Sequence, residues 1–246
     1  MNKHLKIMDD LIAAQGRKID VLRQYKLGLM QQLFPQAGET TPRLRFSDFT
    51  DAGRWKPSTL GKAGTFMMGG KPSFSVPEYW GGDIQWFTPA DIKKRKLSKS
   101  KRTITAEGLN NSSSNLLPTG AIIIATGANI GNIGITENPC AISGRLHSLI
   151  VEPHDVNLFW YYWLEYYNHE LTYHIRRSMF IKTSSKELEE MRTLRPQKAE
   201  QQKIADCLAT MDDLIEAEVI KTSMFQQYKY GLVQRFYPQS DLNDDD

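Results

Sequence analysis

What this chain can fold into is constrained most by a segment that occurs twice, once near each end. Met8–Gln36 reads MDDLIAAQGRKIDVLRQYKLGLMQQLFPQ, and Met211–Gln239 reads MDDLIEAEVIKTSMFQQYKYGLVQRFYPQ. The offset is 203 throughout, without a gap, and fifteen of the 29 positions are identical; unrelated segments of average composition share about two. In the first copy, apolar or near-apolar residues fall at Leu5, Met8, Ile12, Ile19, Leu22, Tyr25, Leu29 and Leu33. In the second they fall at Ile204, Leu208, Met211, Ile215, Val219, Thr222, Phe225, Tyr228, Leu232 and Phe236. Steps of three and four place each set in one stripe along a helix. Pro35 and Pro238 end the helices, because proline lacks the amide hydrogen and clashes with the preceding turn. Each predicted helix runs about 30–37 residues, about 45–55 Å at the α-helical rise. A narrow stripe of that length calls for a partner helix, so the two are expected to pack on each other or on copies. Two ordinary amphipathic helices flanking a core are the alternative, but packing by itself does not require matched sequences.

Between the repeats, about 43–196, the pattern changes. Apolar, aromatic and β-branched runs at Ile84–Thr88, Ala121–Thr126, Ile133–Thr136 and Leu146–Val151 alternate with Gly, Pro and Asn, which predicts strands separated by turns. Phe159, Tyr162, Trp163, Tyr166 and Leu171 predict one helix over Asn157–Tyr173. A short helix is predicted from Ser184, with Ser184 and Glu187 as a capping box. Phe34–Pro42 reads as a linker, and Leu194–Lys198 as the lead into the last helix. The expected fold is α+β: a mixed, β-rich domain flanked by two long helices.

Composition narrows the class. A chain of 246 residues with 40% hydrophobic and 10% aromatic content has material for a packed core, which excludes disorder as its main state. Lys and Arg number 31 against 28 Asp and Glu, a formal charge of +3. Four of those acids, Asp241, Asp244, Asp245 and Asp246, crowd the last six residues. Without them 31 bases face 24 acids, +7, a mild lean toward a polyanionic partner. Cys140 and Cys207 cannot supply a disulfide framework or a four-cysteine zinc site. No apolar leader segment is visible in the first residues, and the longest apolar runs fall far below the roughly 20 residues a membrane span needs. A cytoplasmic protein with reduced thiols and no membrane partner is expected.

The sequence carries no recognisable catalytic motif. The run from Ala121 to Gly134 starts like a phosphate-cradling loop, but its glycines are not in G-x-G-x-x-G order and no Gly-Lys-Ser/Thr follows. Such a loop would open a helix onto the anion; here Ile135–Pro139 reads as a turn, so a strand and a tight glycine turn are expected. The five histidines, His4, His147, His154, His169 and His174, form no metal-ligating pair. Glu187, Glu189 and Glu190 read as one solvated face of a short helix. Chain order supports no Ser–His–Asp or Cys–His arrangement. The chain reads as a non-enzyme with no cofactor and no metal of its own.

The basic run carries more. Lys93, Lys94, Arg95, Lys96, Lys99, Lys101 and Arg102 place seven cations in ten positions without an acid, and Asn110 and Asn111 follow. Cations neutralise phosphates and release counterions, while Asn, Ser and Arg reach base edges. A solvated loop is the alternative reading of the run. Further DNA-binding candidates are Lys71, Arg145, Arg176, Arg177 and Lys182.

Four stretches resemble the DNA-specificity (S) subunits of Type I restriction–modification systems. Gly69–Ser73 with Pro77–Trp86 (GGKPS, PEYWGGDIQW) resembles the opening of that family's target-recognition domain. Ile104–Ser113 with Leu117–Gly120 (ITAEGLNNSS, LPTG) resembles its second segment, and Ser184–Leu188 a short element before the terminal helix. Pro196–Ala205 (PQKAEQQKIA) resembles the P-x-x-EQ-x-x-IA start of the family's conserved helix. The proline-rich form common before that motif is altered here.

The resemblance implies a division into conserved helix 1–36, linker 37–43, target-recognition domain 44–196, conserved helix 197–239 and acidic tail 240–246. Family members usually carry two recognition domains and two helices, so this order implies a C-terminal half-subunit, either a natural half-size protein or a fragment. It further implies that the domain reads half of a split duplex site, with an antiparallel coiled coil spacing the halves. Candidate coiled-coil residues are Leu5, Met8, Ile12, Ile19, Leu22, Leu29, Ile204, Leu208, Met211, Ile215, Val219 and Leu232. Modification subunits would bring S-adenosylmethionine and methylate adenine, and a restriction subunit would use ATP. The chain would act as a homodimer or with another S polypeptide. A coiled-coil scaffold with an unrelated ligand domain and a standalone DNA-modifying enzyme are the competing functional readings.

Overall fold

The structure, a computed structural model, describes residues 3–127, 129–179 and 185–236. In chain order the elements are α1 (Lys3–Leu33), β1 (Lys56–Thr59), β2 (Gly64–Met68), β3 (Trp80–Phe87), β4 (Lys96–Leu97), β5 (Arg102–Ile104), α2 (Ala106–Asn110), β6 (Ile122–Ala125), β7 (Ile133–Thr136), β8 (Cys140–Ile142), β9 (Leu146–Val151), α3 (Asn157–Tyr166), α4 (Asn168–Met179), α5 (Lys186–Glu189), β10 (Arg192–Arg195) and α6 (Lys198–Phe236). They divide into two units. One pairs α1 up to Gln32 with α6 from Asp206; the other is Leu33–Ala205.

In the helical unit, Lys26 meets Asp212 at 2.7 Å, Gln15 and Lys18 both donate to the Glu218 carboxylate, and Lys229 pairs with Asp9. Rising numbers on one helix meet falling numbers on the other, so the pair is antiparallel. The covered positions of α1 include Leu5, Met8, Ile12, Gln15, Ile19, Leu22, Lys26 and Leu29; those of α6 include Leu208, Met211, Ile215, Glu218, Thr222, Phe225, Lys229 and Leu232. Steps of three and four alternate without a slip, the heptad pattern of a coiled coil. Each position in the second set is its counterpart in the first plus 203.

Three residues read into the stripe lie outside it: Tyr25, Val219 and Tyr228 are exposed. The seam passes to the neighbouring Lys26, Glu218 and Lys229, because strict heptad spacing overrides local hydrophobicity at those turns. Ile204 is buried, but it belongs to the other unit.

In the Leu33–Ala205 unit, a five-stranded sheet runs β2-β9-β6-β7-β4, antiparallel except for the β4–β7 pair. A three-stranded sheet, β5-β3-β8, pairs β3 antiparallel to β5 and parallel to β8. Side chains alternate across a strand, so β3 serves two layers. Phe87 joins Cys140, Ile142, Ile123, Leu117 and Leu146 in the main core, while Trp86 joins Ile104 and Ala141 on the opposite face. The β6–β7 connection turns tightly through Asn129 (φ 61°) and Gly131 (φ 87°), the left-handed region that favours Gly and Asn.

The helix predicted over Asn157–Tyr173 is two. At Tyr167 the backbone leaves helical geometry (φ −89°, ψ 27°), and its hydroxyl donates to the Pro35 carbonyl at 2.6 Å. Asn168 begins the second helix with its amide bound to the Gly131 carbonyl. Leu194 and Arg195, the first two residues of the predicted lead into α6, end β10, which runs antiparallel to β1. The basic run, whose alternative reading is a solvated loop, contains β4 and the start of β5. Ser184 lies outside the described residues, and Ser185, which precedes α5, makes no side-chain cap bond.

The Glu200–Gln201 pair at the start of the last helix is structural. Buried Glu200 accepts two bonds from the Arg45 guanidinium at 2.8 Å and one from Trp55 Nε1 at 3.1 Å. Buried Gln201 accepts from Val156 N at 2.9 Å and donates to Asp155, which also pairs with Arg195 at 2.7 Å. The first turns of α6 are thereby tied to β10 and to the loop before α3.

Candidate nucleic-acid interface

The basic run divides by environment. Lys93, Lys94, Lys96, Lys99, Lys101 and Arg102 are exposed, whereas Arg95 is half-buried and donates to the Tyr162 hydroxyl at 2.6 Å. Among the described residues Lys93, Lys94, Lys99, Lys101 and Arg102 have no carboxylate partner. Neighbouring loops are tied to the run. Asp91 accepts from Lys101 N at 3.3 Å, Asn129 donates to the Pro89 carbonyl at 3.1 Å, and Asn132 to the Ile92 carbonyl at 2.8 Å. Exposed Arg145 flanks the same turn: its carbonyl accepts from Thr126, and its side chain lies against Gly127. One cluster of loops thus carries Lys93, Lys94, Lys101 and Arg145.

Asn110 and Asn111 close α2, which Thr105 caps at its start. Both are exposed, and the Asn111 amide donates to the Glu107 carbonyl at 3.0 Å. Arg176 is exposed on α4. The side chain of Arg177, and Lys182, lie outside the described residues.

Lys71 and Arg102 stand 31 positions apart in sequence, and the fold brings them to one ring. Lys71 Nζ lies 4.8 Å from the Phe74 centroid and the Arg102 guanidinium 5.3 Å from it. Phe74 stacks on Trp80 with centroids 4.7 Å apart and planes 13° apart; Trp80 meets Trp86 edge to face at 5.1 Å. Sequence reasoning passed over Phe74 and Trp80. The available signal was an aromatic between two serines in GGKPSFS, beside a cation.

Among the described residues no group of three His, Cys, Asp or Glu side chains is placed to hold a metal, and no helix is long and apolar enough to cross a membrane. His147 is buried, which lowers its pKa; its Nδ1 lies 3.2 Å from the Thr126 hydroxyl.

Solved structures place the fold. The chain superposes on the HsdS subunit of Thermoanaerobacter tengcongensis with a TM-score of 0.64 at 15% identity, covering 96% of this chain and 55% of that one. The S subunit of a Type I restriction–modification system from M. genitalium gives 0.62 at 16% identity, covering 96% and 59%. The architecture is that of a restriction-system specificity subunit. Residues 53–222 match the family model for the Type I restriction modification DNA specificity domain, and the chain belongs to this family. The MjaIX specificity subunit of Methanocaldococcus jannaschii is 28% identical over 199 residues, covering 76% of this chain and 46% of the relative. The EcoR124I/EcoR124II specificity subunit of Escherichia coli is 36% identical over 77 residues, covering 31% and 19%. The chain spans half or less of the length of these curated relatives.

Proposed function

We propose that this chain is a DNA-specificity module that reads one half of a bipartite duplex site and supplies no catalytic group. The observation that carries the reading is the family match over residues 53–222, joined to exposed cations without carboxylate partners on the β3–β5 side of the domain. Phosphate contacts would position the domain, and a few side chains would read base edges. Modification subunits carrying S-adenosylmethionine would methylate adenine, and a restriction subunit would use ATP; both partners would bring their own cofactors. One domain sees half a site, so the chain works as a homodimer or with another S polypeptide.

The test is reconstitution. The purified chain should bind duplex DNA in a salt-dependent manner and neither methylate nor cleave it. A cognate modification subunit and S-adenosylmethionine should then produce adenine methylation at one defined motif. Methyl transfer by the chain on its own would sink the reading.

A further inference from the structure

An aromatic ladder climbs from the core to the surface beside β3. At its base, buried Trp86 donates from Nε1 to the Gly70 carbonyl at 3.1 Å. Trp80 rests edge-on against Trp86 and donates from Nε1 to the Ser73 carbonyl at 3.0 Å. Phe74 lies flat on Trp80 and is 53% exposed. Gly70 fixes the strand end beneath it. A Cβ there would come within 2.2 Å of the Ser113 backbone, so the loop bearing Lys71 is held against the 112–114 segment.

Two cations share this ladder. Lys71 and Arg102 both lie within about 6 Å of the Phe74 centroid, the reach of a cation–π contact, and Arg102 also lies 5.9 Å from Trp80. A ring orients a cation without cancelling its charge, as a carboxylate would. Among the described residues neither cation has an ion-pair partner. Two like charges gathered at one ring repel each other and attract any anion that bridges them. Mounting them on stacked rings also lowers the side-chain entropy lost when that anion binds.

Resting on the DNA-binding reading above, we propose that Lys71 and Arg102, held on the Phe74–Trp80 stack, clamp a phosphate of the DNA backbone and set the register of the domain on the duplex. Charge complementarity selects the occupant, since the neighbouring β4–β5 segment adds Lys99 and Lys101 without an acid partner. The clamp holds an anion that every nucleotide carries, so it adds affinity and no base preference.

The experiment uses the full chain with Lys71→Ala, Arg102→Ala, their combination, and Phe74→Leu, which keeps the apolar volume and removes the ring. Binding to a mixed-sequence duplex and to a duplex bearing the methylated motif is followed across a salt series. The double variant should lose affinity for both duplexes in the same proportion. Its log–log salt slope should flatten by about 0.9 for each phosphate no longer neutralised. Phe74→Leu should weaken binding in the same direction by less, and Arg102→Lys should keep most of the slope. Circular dichroism and melting identify any variant that has not folded, in which case the slope of Arg102→Lys against Arg102→Ala decides. A folded double variant with an unchanged slope would overturn the clamp while leaving DNA recognition intact. A changed methylated motif would also overturn it, because Arg102 would then be reading a base. Failure of the unaltered chain to bind any duplex would remove the DNA-binding reading itself.

Discussion

Glu200 shows how much one side chain can hold. Its carboxylate is buried and accepts from both Arg45 and Trp55; the Glu200 hydrogen bonds raise the Arg45 pKa, so that guanidinium stays charged. Removing the carboxylate leaves the part-buried Arg45 guanidinium with only the Gly53 carbonyl and the buried Trp55 Nε1 without its acceptor. Glu200→Ala should therefore lower stability by about 3–5 kcal/mol, read as a shift in the chemical denaturation midpoint. A shift no larger than that of an exposed-site control would show that water replaces the carboxylate at little cost. Cys140 offers a second check. Burial pushes its thiol up to about 12, so the nucleophilic thiolate is scarce at pH 8. Alkylation followed by mass spectrometry should leave Cys140 unmodified until denaturant is added, and rapid labelling in the native chain would contradict that burial. At this scale the sequence was partly legible. The motif residues Glu200 and Gln201 stood out by pattern, but nothing local shows that they are structural, because Arg45, Trp55 and Asp155 reach them from distant segments. Phe74 stayed hidden for a related reason, since its ring matters partly through Arg102, which the β3–β5 pairing brings to it.

The two long helices are the elements that the sequence declared most openly, and their seam is where it misled. An apolar count picks Tyr25, Val219 and Tyr228, whereas the heptad requires Lys26, Glu218 and Lys229. The polar contacts follow the repeat. Asp9 and Lys26 correspond to Asp212 and Lys229, so Lys26–Asp212 and Lys229–Asp9 are one contact made twice. Gln15 and Glu218 occupy equivalent positions and meet each other, as residues near a local two-fold axis do. Polar seam residues set register and orientation in coiled coils. Lys26→Asp or Asp212→Lys should each destabilise the pair through like charges at a covered position. The double exchange should recover part of the loss, giving a coupling of about 1–3 kcal/mol in a double-mutant cycle; additive losses would mean that the contact does not set register. Acid should act through Glu218. The hydrogen bond from Lys18 is the largest influence lowering its pKa, and Gln15 adds to it against the opposing effect of burial. A carboxylate with a lowered folded pKa stabilises the fold above its ordinary range, and that stability is lost as pH falls through that range toward the lowered value. Glu218→Gln should flatten the acid limb of a stability–pH profile. The short strands were harder to read than the helices: β10 and β1 are four residues each, and their pairing is a long-range event that no local period announces.

At the scale of the whole molecule, the repeat places matching helices before and after one recognition domain in the sequence, and the family resemblance implies that they space the half-sites. Two identical chains would present identical domains, so a homodimer should direct its modification subunits to an inverted repeat; a motif without inverted symmetry would identify a different S polypeptide as the partner. The seam suggests how to test the spacer itself. A four-residue insertion adds about one turn but breaks the alternation of three and four, whereas seven residues preserve it. Ala14 and Ala217 are exposed and repeat-equivalent, so a heptad copied from the neighbouring seam and inserted after each keeps both the stripe and the local symmetry. Each helix then grows by about 10 Å. At about 3.4 Å per base pair, the non-specific gap in the methylated motif should widen by about three base pairs while the half-site bases stay the same. The measurement is methylation-motif sequencing of a strain carrying the lengthened chain with its modification subunit. An unchanged gap in a folded, active insertion variant would mean that the distance between half-sites is set by the partner subunits and not by these helices.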